Sequence, residues 1–151
     1  MGCPKRLNKH EIFIRTEDCK LIFDQLVLWG EAPWWPSKCL MRFKRIDNEP
    51  IRKGTMYHQE VRVPFGPRWC SVVSDIDDNK SISRKYLGSF IDGEEVTRVK
   101  PVNGGAKVEY ELSYSIQGFF YQWAWERCLR SLHDANIQKV LDHLKTYIEK
   151  Q

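Results

Sequence analysis

Between Phe119 and Lys150 the chain contains neither glycine nor proline. Trp125, Leu129, Leu132, Val140, Leu144 and Tyr147 recur there at helical spacing, with Ile137, Leu141 and Ile148 beside them. At about 1.5 Å per residue the segment makes a helix roughly 45 Å long. A helix of that length spans a small domain, so the residues before it must supply the surface on which its apolar stripe lies. Those residues have the pattern of antiparallel strands. A curved sheet wrapped around one long helix is a container, and containment is the expected function.

The upstream elements follow from period and punctuation. Residues 10–16 have strand character and residues 1–8 are expected to be a flexible N-terminus. Leu21, Ile22, Leu26 and Trp29 then repeat at helical spacing over 18–29, with Thr16 or Asp18 as the cap. Ala32-Pro33-Trp34-Trp35-Pro36 ends that helix in a stiff aromatic segment, and Pro33 is placed to start a second short helix. From Cys39 the period is two. Strands are expected at 39–46, 55–64 and 69–76, divided by Lys53-Gly54, by Pro64-Phe65-Gly66-Pro67 and by Asp77-Asp78-Asn79. Asp92-Gly93 and Gly104-Gly105 have the form of two-residue hairpin turns. Those turns would oppose Tyr86 to Val99, Val99 to Tyr110, and Phe90 to Glu95 and then Tyr114. On the other face they would oppose Lys100 to Glu109 and Arg98 to Glu111, as a solvated face requires. The first face carries Tyr86, Phe90, Val99, Tyr110, Leu112, Tyr114 and Ile116, so the long helix should cover it.

This order of elements resembles the helix-grip fold of the START/Bet v 1-like (SRPBCC) superfamily, and within it the polyketide cyclase/dehydrase and lipid-transport group. The resemblance rests on Trp34-Trp35 with Pro36, Gly54 before the third strand, Trp69 opening the fourth, and the Tyr-Leu-Gly to Asp-Gly run of 86–93. Val-Glu-Tyr at 108–110 and the helix end from Val140 to Tyr147 complete it. It covers nearly the whole chain and is one of shape, with no shared catalytic motif. It implies an α+β fold of a single domain over 1–151, with a seven-stranded antiparallel sheet gripping the helix, two short helices after the first strand, and an apolar cavity between sheet and helix. The implied ligand is a small hydrophobic molecule: a lipid, isoprenoid, polyketide or aromatic compound.

Candidate site residues follow from the same face. Trp34, Trp35, Trp69 and Trp123 are expected pocket walls, the first two in the segment that closes the cavity mouth in relatives. Arg84 shares parity with Tyr86 and Phe90 and so points toward the helix. A charge there is costly unless paired. Its planar fork suits a ligand carboxylate or carbonyl, or an internal carboxylate such as Glu95. Tyr86, Tyr110 and Tyr114 bring hydroxyls inward that require partners. Asn136 falls in the helix stripe and should face the sheet, whereas His133 lies at the stripe's edge, satisfied or half-exposed.

Other chemistries lack their signatures. The serines have no G-x-S-x-G setting, and the glycines form no phosphate-binding or dinucleotide loop. Neither metal nor cofactor is expected, since the histidines have no ligand spacing with one another or with cysteine. The five cysteines are odd in number and lack a C-x-x-C pair, which fits reduced thiols in a cytoplasmic protein. The +4 charge is spread along the chain and argues against nucleic acid. No apolar run reaches the ~18 residues of a membrane span, so no integral membrane association is expected. No signal peptide precedes the first strand, and Arg6 stands where N-myristoylation after Met1-Gly2 requires Ser or Thr. A homodimer is left open. Two functions stand beside ligand carriage: an aromatase/cyclase-type enzyme using Arg84 with Tyr86 or Tyr110, and a protein-interaction module with a filled core.

Overall fold

The computed structural model describes residues 5–88 and 90–151. The lipidation pattern at Met1-Gly2-Cys3 and Ser89 lie outside these residues. The elements are β1 (Arg6–Arg15), α1 (Cys19–Leu26), β2 (Met41–Arg45), β3 (Met56–Val61), β4 (Arg68–Asp77), β5 (Ser81–Leu87), β6 (Ile91–Val102), β7 (Gly105–Ile116), α2 (Phe119–Ala124), a π-helical turn (Trp125–Leu129) and α3 (Arg130–Glu149). All seven strands form one sheet in the order β1-β7-β6-β5-β4-β3-β2, antiparallel at every joint. This is the helix-grip architecture, with α3 on the inner face.

Several local expectations are refined. β1 starts at Arg6, so residues 6–8 belong to the sheet and not to a flexible terminus. Asp18 is the cap of α1, its carboxylate accepting from the Lys20 amide. The second short helix is replaced by consecutive turns, in which the amides of Trp29, Glu31, Trp35 and Cys39 each donate to a carbonyl three residues or fewer back. Gly30, at φ +85°, and the two prolines prevent a helix there. The C-terminal helix keeps helical backbone angles across both junctions, and the wide turn at Trp125–Leu129 interrupts its α-spacing.

The hairpin registers are also corrected. Asp92-Gly93 lies inside β6, and Leu87 at the end of β5 pairs with Asp92 instead. Tyr86 therefore pairs with Gly93, and Arg84 with Glu95. A Cβ on Gly93 would lie 2.7 Å from the Ser113 carbonyl oxygen, so this glycine serves close strand approach. The second hairpin turns at Asn103-Gly104, which pairs Val99 with Val108 and Thr97 with Tyr110. Gly105 is a strand residue, where a Cβ would come within 2.1 Å of the Ile14 carbonyl oxygen. Both corrections move the register by an even number, and the faces survive because strand side chains alternate with period two. The outer face keeps Arg98–Glu111 at 3.2 Å and Lys100–Glu109 at 3.0 Å, but these pairs reach diagonally.

The core lies between the inner face and α3. Tyr110, Leu112, Val108 and Ile82 from the sheet meet Ile137, Val140, Leu141 and Leu144 from the helix, all buried.

Candidate functional site

Beneath α3 the inner face carries polar groups that an apolar container does not need. Glu95, from the middle of β6, is fully buried. One of its carboxylate oxygens accepts from Arg84 Nη1 at 3.2 Å. The other accepts from the Tyr86 hydroxyl at 2.8 Å and the Tyr110 hydroxyl at 3.0 Å. Strand pairing builds this knot: Arg84 sits directly across from Glu95, and Tyr110 directly across from Thr97, next inward neighbour of Glu95 on β6. Burial and the Glu95 charge push both tyrosine hydroxyls well above their ordinary range, so they stay protonated and donate. Burial works against the Arg84 charge. The oxygens of Tyr57 and Glu95 outweigh it, and the guanidinium is held more strongly protonated than usual.

Arg84 is 1% exposed. Its guanidinium lies 4.9 Å from the Tyr57 ring centre and 6.0 Å from that of Trp29. One arm of the fork is used by Glu95. Nε and Nη2 have no hydrogen-bond partner among the described residues, and the same holds for Tyr57 Oη, Trp29 Nε1, Thr97 Oγ1 and both ring nitrogens of His133. Buried polar groups are rarely left so. Burial lowers the His133 pKa to about 4, so its ring is neutral at pH 7.

The expected site residues divide. Arg84, Tyr86, Tyr110 and Glu95 come together, so Arg84 has the internal carboxylate partner. Phe90, Val99, Leu112 and Tyr114 are buried on the same face. Tyr114 is satisfied locally, accepting from Trp125 Nε1 at 2.9 Å. Trp69 packs against Tyr86 and Phe90. Trp34 is buried and donates to Gln25 at 3.0 Å, while Trp35 meets Trp29 and Phe43 edge-on. Asn136 faces the sheet side, accepting from the Leu40 amide at 2.9 Å and donating to the Leu132 carbonyl at 2.7 Å, so its polar atoms tie the β2 entry to α3. Trp123 is not a pocket wall; it points to solvent. The buried tryptophan of that helix is Trp125. His133 is buried, not half-exposed.

Trp29, Tyr57, Thr97 and His133 also face this knot, although none of them is among the expected site residues. Tyr57, Thr97 and Glu95 each sit at inward parity on their strands, a signal present in the sequence. By its spacing Trp29 belongs to the apolar stripe of the first helix, yet it stacks on Tyr110 with ring centres 6.2 Å apart. The space assigned to a ligand is occupied by these large side chains, Trp29, Arg84, Tyr57 and Tyr110 being among the largest fully buried ones. A surface cleft opens on β2–β4 among Arg42, His58, Arg68, Trp69 and Cys70.

No protein-family model matches the chain, and no curated protein matches it. Solved structures do. An aromatase/cyclase from a Streptomyces species is 14% identical, with 97% of this chain and 95% of that one covered at a TM-score of 0.75. Truncated norcoclaurine synthase from Thalictrum flavum is 10% identical, with 100% and 98% covered at 0.71. An uncharacterised protein from Rhizobium leguminosarum is 15% identical, with 99% and 98% covered at 0.69. At these identities the likeness is one of fold, and it runs nearly the full length of the chain: a seven-stranded antiparallel sheet closed by a long C-terminal helix, the helix-grip fold.

Proposed function

We propose that this protein binds a small, mainly apolar molecule bearing an oxygen acceptor, between the inner face of the sheet and α3. The observation that carries this reading is Arg84. It is held by Glu95 on one side, walled by the rings of Trp29 and Tyr57, and has two nitrogens, Nε and Nη2, without a hydrogen-bond partner among the described residues. A mostly apolar space with one oriented fork selects a hydrophobic body with a carbonyl or carboxylate at one end. Entry requires side chains to move. The segment 27–38 is suited to this, because it brings Trp29, Trp34 and Trp35 over the site on turns instead of a helix or strand. Two of the similar solved structures are an aromatase/cyclase and norcoclaurine synthase, which is compatible with a ligand that is a ring-forming or aromatic compound.

The test is a titration with a medium-chain fatty acid and with the alkane of equal length, each displacing an apolar dye. One saturable site is expected, with the acid preferred. Arg84→Lys keeps the charge beside Glu95 but loses the planar fork, and should reduce that preference about tenfold with the fold intact. Absence of saturable binding to dye and acid alike would remove the reading and favour the filled-core interaction module.

A further inference from the structure

Helix α2 buries none of its residues, although its sequence is Phe-Phe-Tyr-Gln-Trp-Ala. Phe119 is 87% exposed, Phe120 63%, Trp123 54% and Tyr121 36%. A second prong is Phe65, fully exposed in the loop between β3 and β4. It stands at φ +59°, a conformation bulky side chains seldom adopt. The two prongs share one end of the molecule. Tyr121 packs on Phe90 in the β5–β6 turn at 4.8 Å between ring centres, and Phe90 packs at 5.5 Å on Trp69, which opens β4 just after the Phe65 loop.

The rim of this end is basic. Arg62 and Arg127 are exposed and have no ion-pair partner among the described residues. Glu60 is shared by Arg42 and Arg68, and Glu126 by Arg6 and Arg130. With Asp92 at the start of β6, six arginines stand against three carboxylates.

We propose that α2 and the Phe65 loop form a docking surface for anionic lipid bilayers. Phenylalanine, tyrosine and tryptophan favour the boundary between head groups and acyl chains, and a cationic rim is drawn to anionic head groups. A second copy of the chain is a poorer occupant. At about 200 Å² per aromatic side chain the exposed fractions amount to roughly 700 Å², split over two prongs. A stable protein interface takes about 800 Å² per partner in one packed patch. From this surface the ring contacts Tyr121–Phe90–Trp69–Tyr86 lead inward to Glu95, so a molecule leaving the bilayer would meet aromatic faces along the way. Docking itself does not depend on the ligand reading.

The experiment is sedimentation of the full chain with vesicles of phosphatidylcholine alone or mixed with phosphatidylglycerol, at low and raised salt. Binding to the mixed vesicles is expected, weakened by salt and by omission of phosphatidylglycerol. Phe120→Ser with Trp123→Ser should lower partitioning about tenfold or more at an unchanged thermal midpoint. Phe65→Ser should lower it less. Lipids brominated on the acyl chains should quench part of the tryptophan emission of the parent, and the Trp123→Phe variant should still bind but lose that part. Failure to sediment with either vesicle overturns the proposal, as does equal binding by the double variant. A concentration-dependent dimer that the double variant abolishes, without vesicle binding, assigns the surface to a second copy and also overturns it.

Discussion

Trp123 and Trp125 are neighbours on one helix and sit in opposite surroundings. Trp125 is buried against Tyr114 and His133 at the edge of the polar knot, while Trp123 projects into solvent beside Phe120. The same contrast holds for the two regions they represent. Under α3 a charged pair, two tyrosines and a neutral histidine are enclosed where apolar side chains would ordinarily serve. At α2 aromatic side chains are exposed where polar ones would ordinarily serve. Each region departs from what stability alone favours, in opposite senses, and departures of this kind concentrate where a protein meets something else.

The contrast can be broken first at the knot. Arg84→Met leaves Glu95 buried without its counter-charge and should cost about 3–5 kcal/mol. The double variant with Glu95→Leu should recover part of that loss, because it removes the stranded charge but also the acceptor shared by Tyr86 and Tyr110. Denaturant unfolding of the four members of this cycle measures the coupling. A double-variant loss equal to the sum of the two single losses would show that the pair does not act as a unit.

A smaller effect is expected from His133. Its folded pKa, about 4, lies below the ordinary 6.5 because burial disfavours the charged ring; Asp134 opposes that shift and His10 adds to it. The unfolded chain therefore takes up a proton that the folded chain refuses. Stability from this residue is complete above pH 6.5 and falls as pH drops toward 4, by roughly 3 kcal/mol in all. His133→Phe, which preserves ring packing against Tyr110 and Trp125, should flatten the stability profile over that interval. An unchanged slope would mean that His133 does not titrate in this way.

The smallest expected effect sharpens the comparison from the other side. Phe120→Ser with Trp123→Ser should change unfolding free energy by no more than about 0.5 kcal/mol per site, because the replaced side chains touch mainly solvent. A much larger loss would show that α2 is held by its aromatic residues and would weaken the case for an external partner.

Much of the fold follows from periodicity alone. The inward set Tyr86, Val99, Tyr110, Leu112 and Tyr114 was legible because alternation survives any even error in register. The two hairpin turns were not. Asp92-Gly93 and Gly104-Gly105 have the local chemistry of tight turns, but Gly93 and Gly105 are used where neighbouring strands approach too closely for a Cβ. That requirement comes from β7 and β1, which are distant in sequence. The second short helix failed for a local reason that was present, Gly30 and the two prolines, although Pro33 by itself can start a helix. At the site, Arg84 and its carboxylate alternative could be named from parity, whereas Trp29, Tyr57 and His133 could not be joined to them without the strand order.

Residue periodicity is enough to say which residues face inward, that a long C-terminal helix covers them, and that a charge lies beneath it. These depend on periods of 2 and 3.6 residues, which are properties of the backbone. Long-range packing is what brings Arg84 to Glu95, lets two tyrosines share that carboxylate, and makes the helix bury Trp125 and leave Trp123 outside. Those outcomes depend on register across strands and on how far the helix overlaps the sheet, and both are set by packing between residues far apart in the chain.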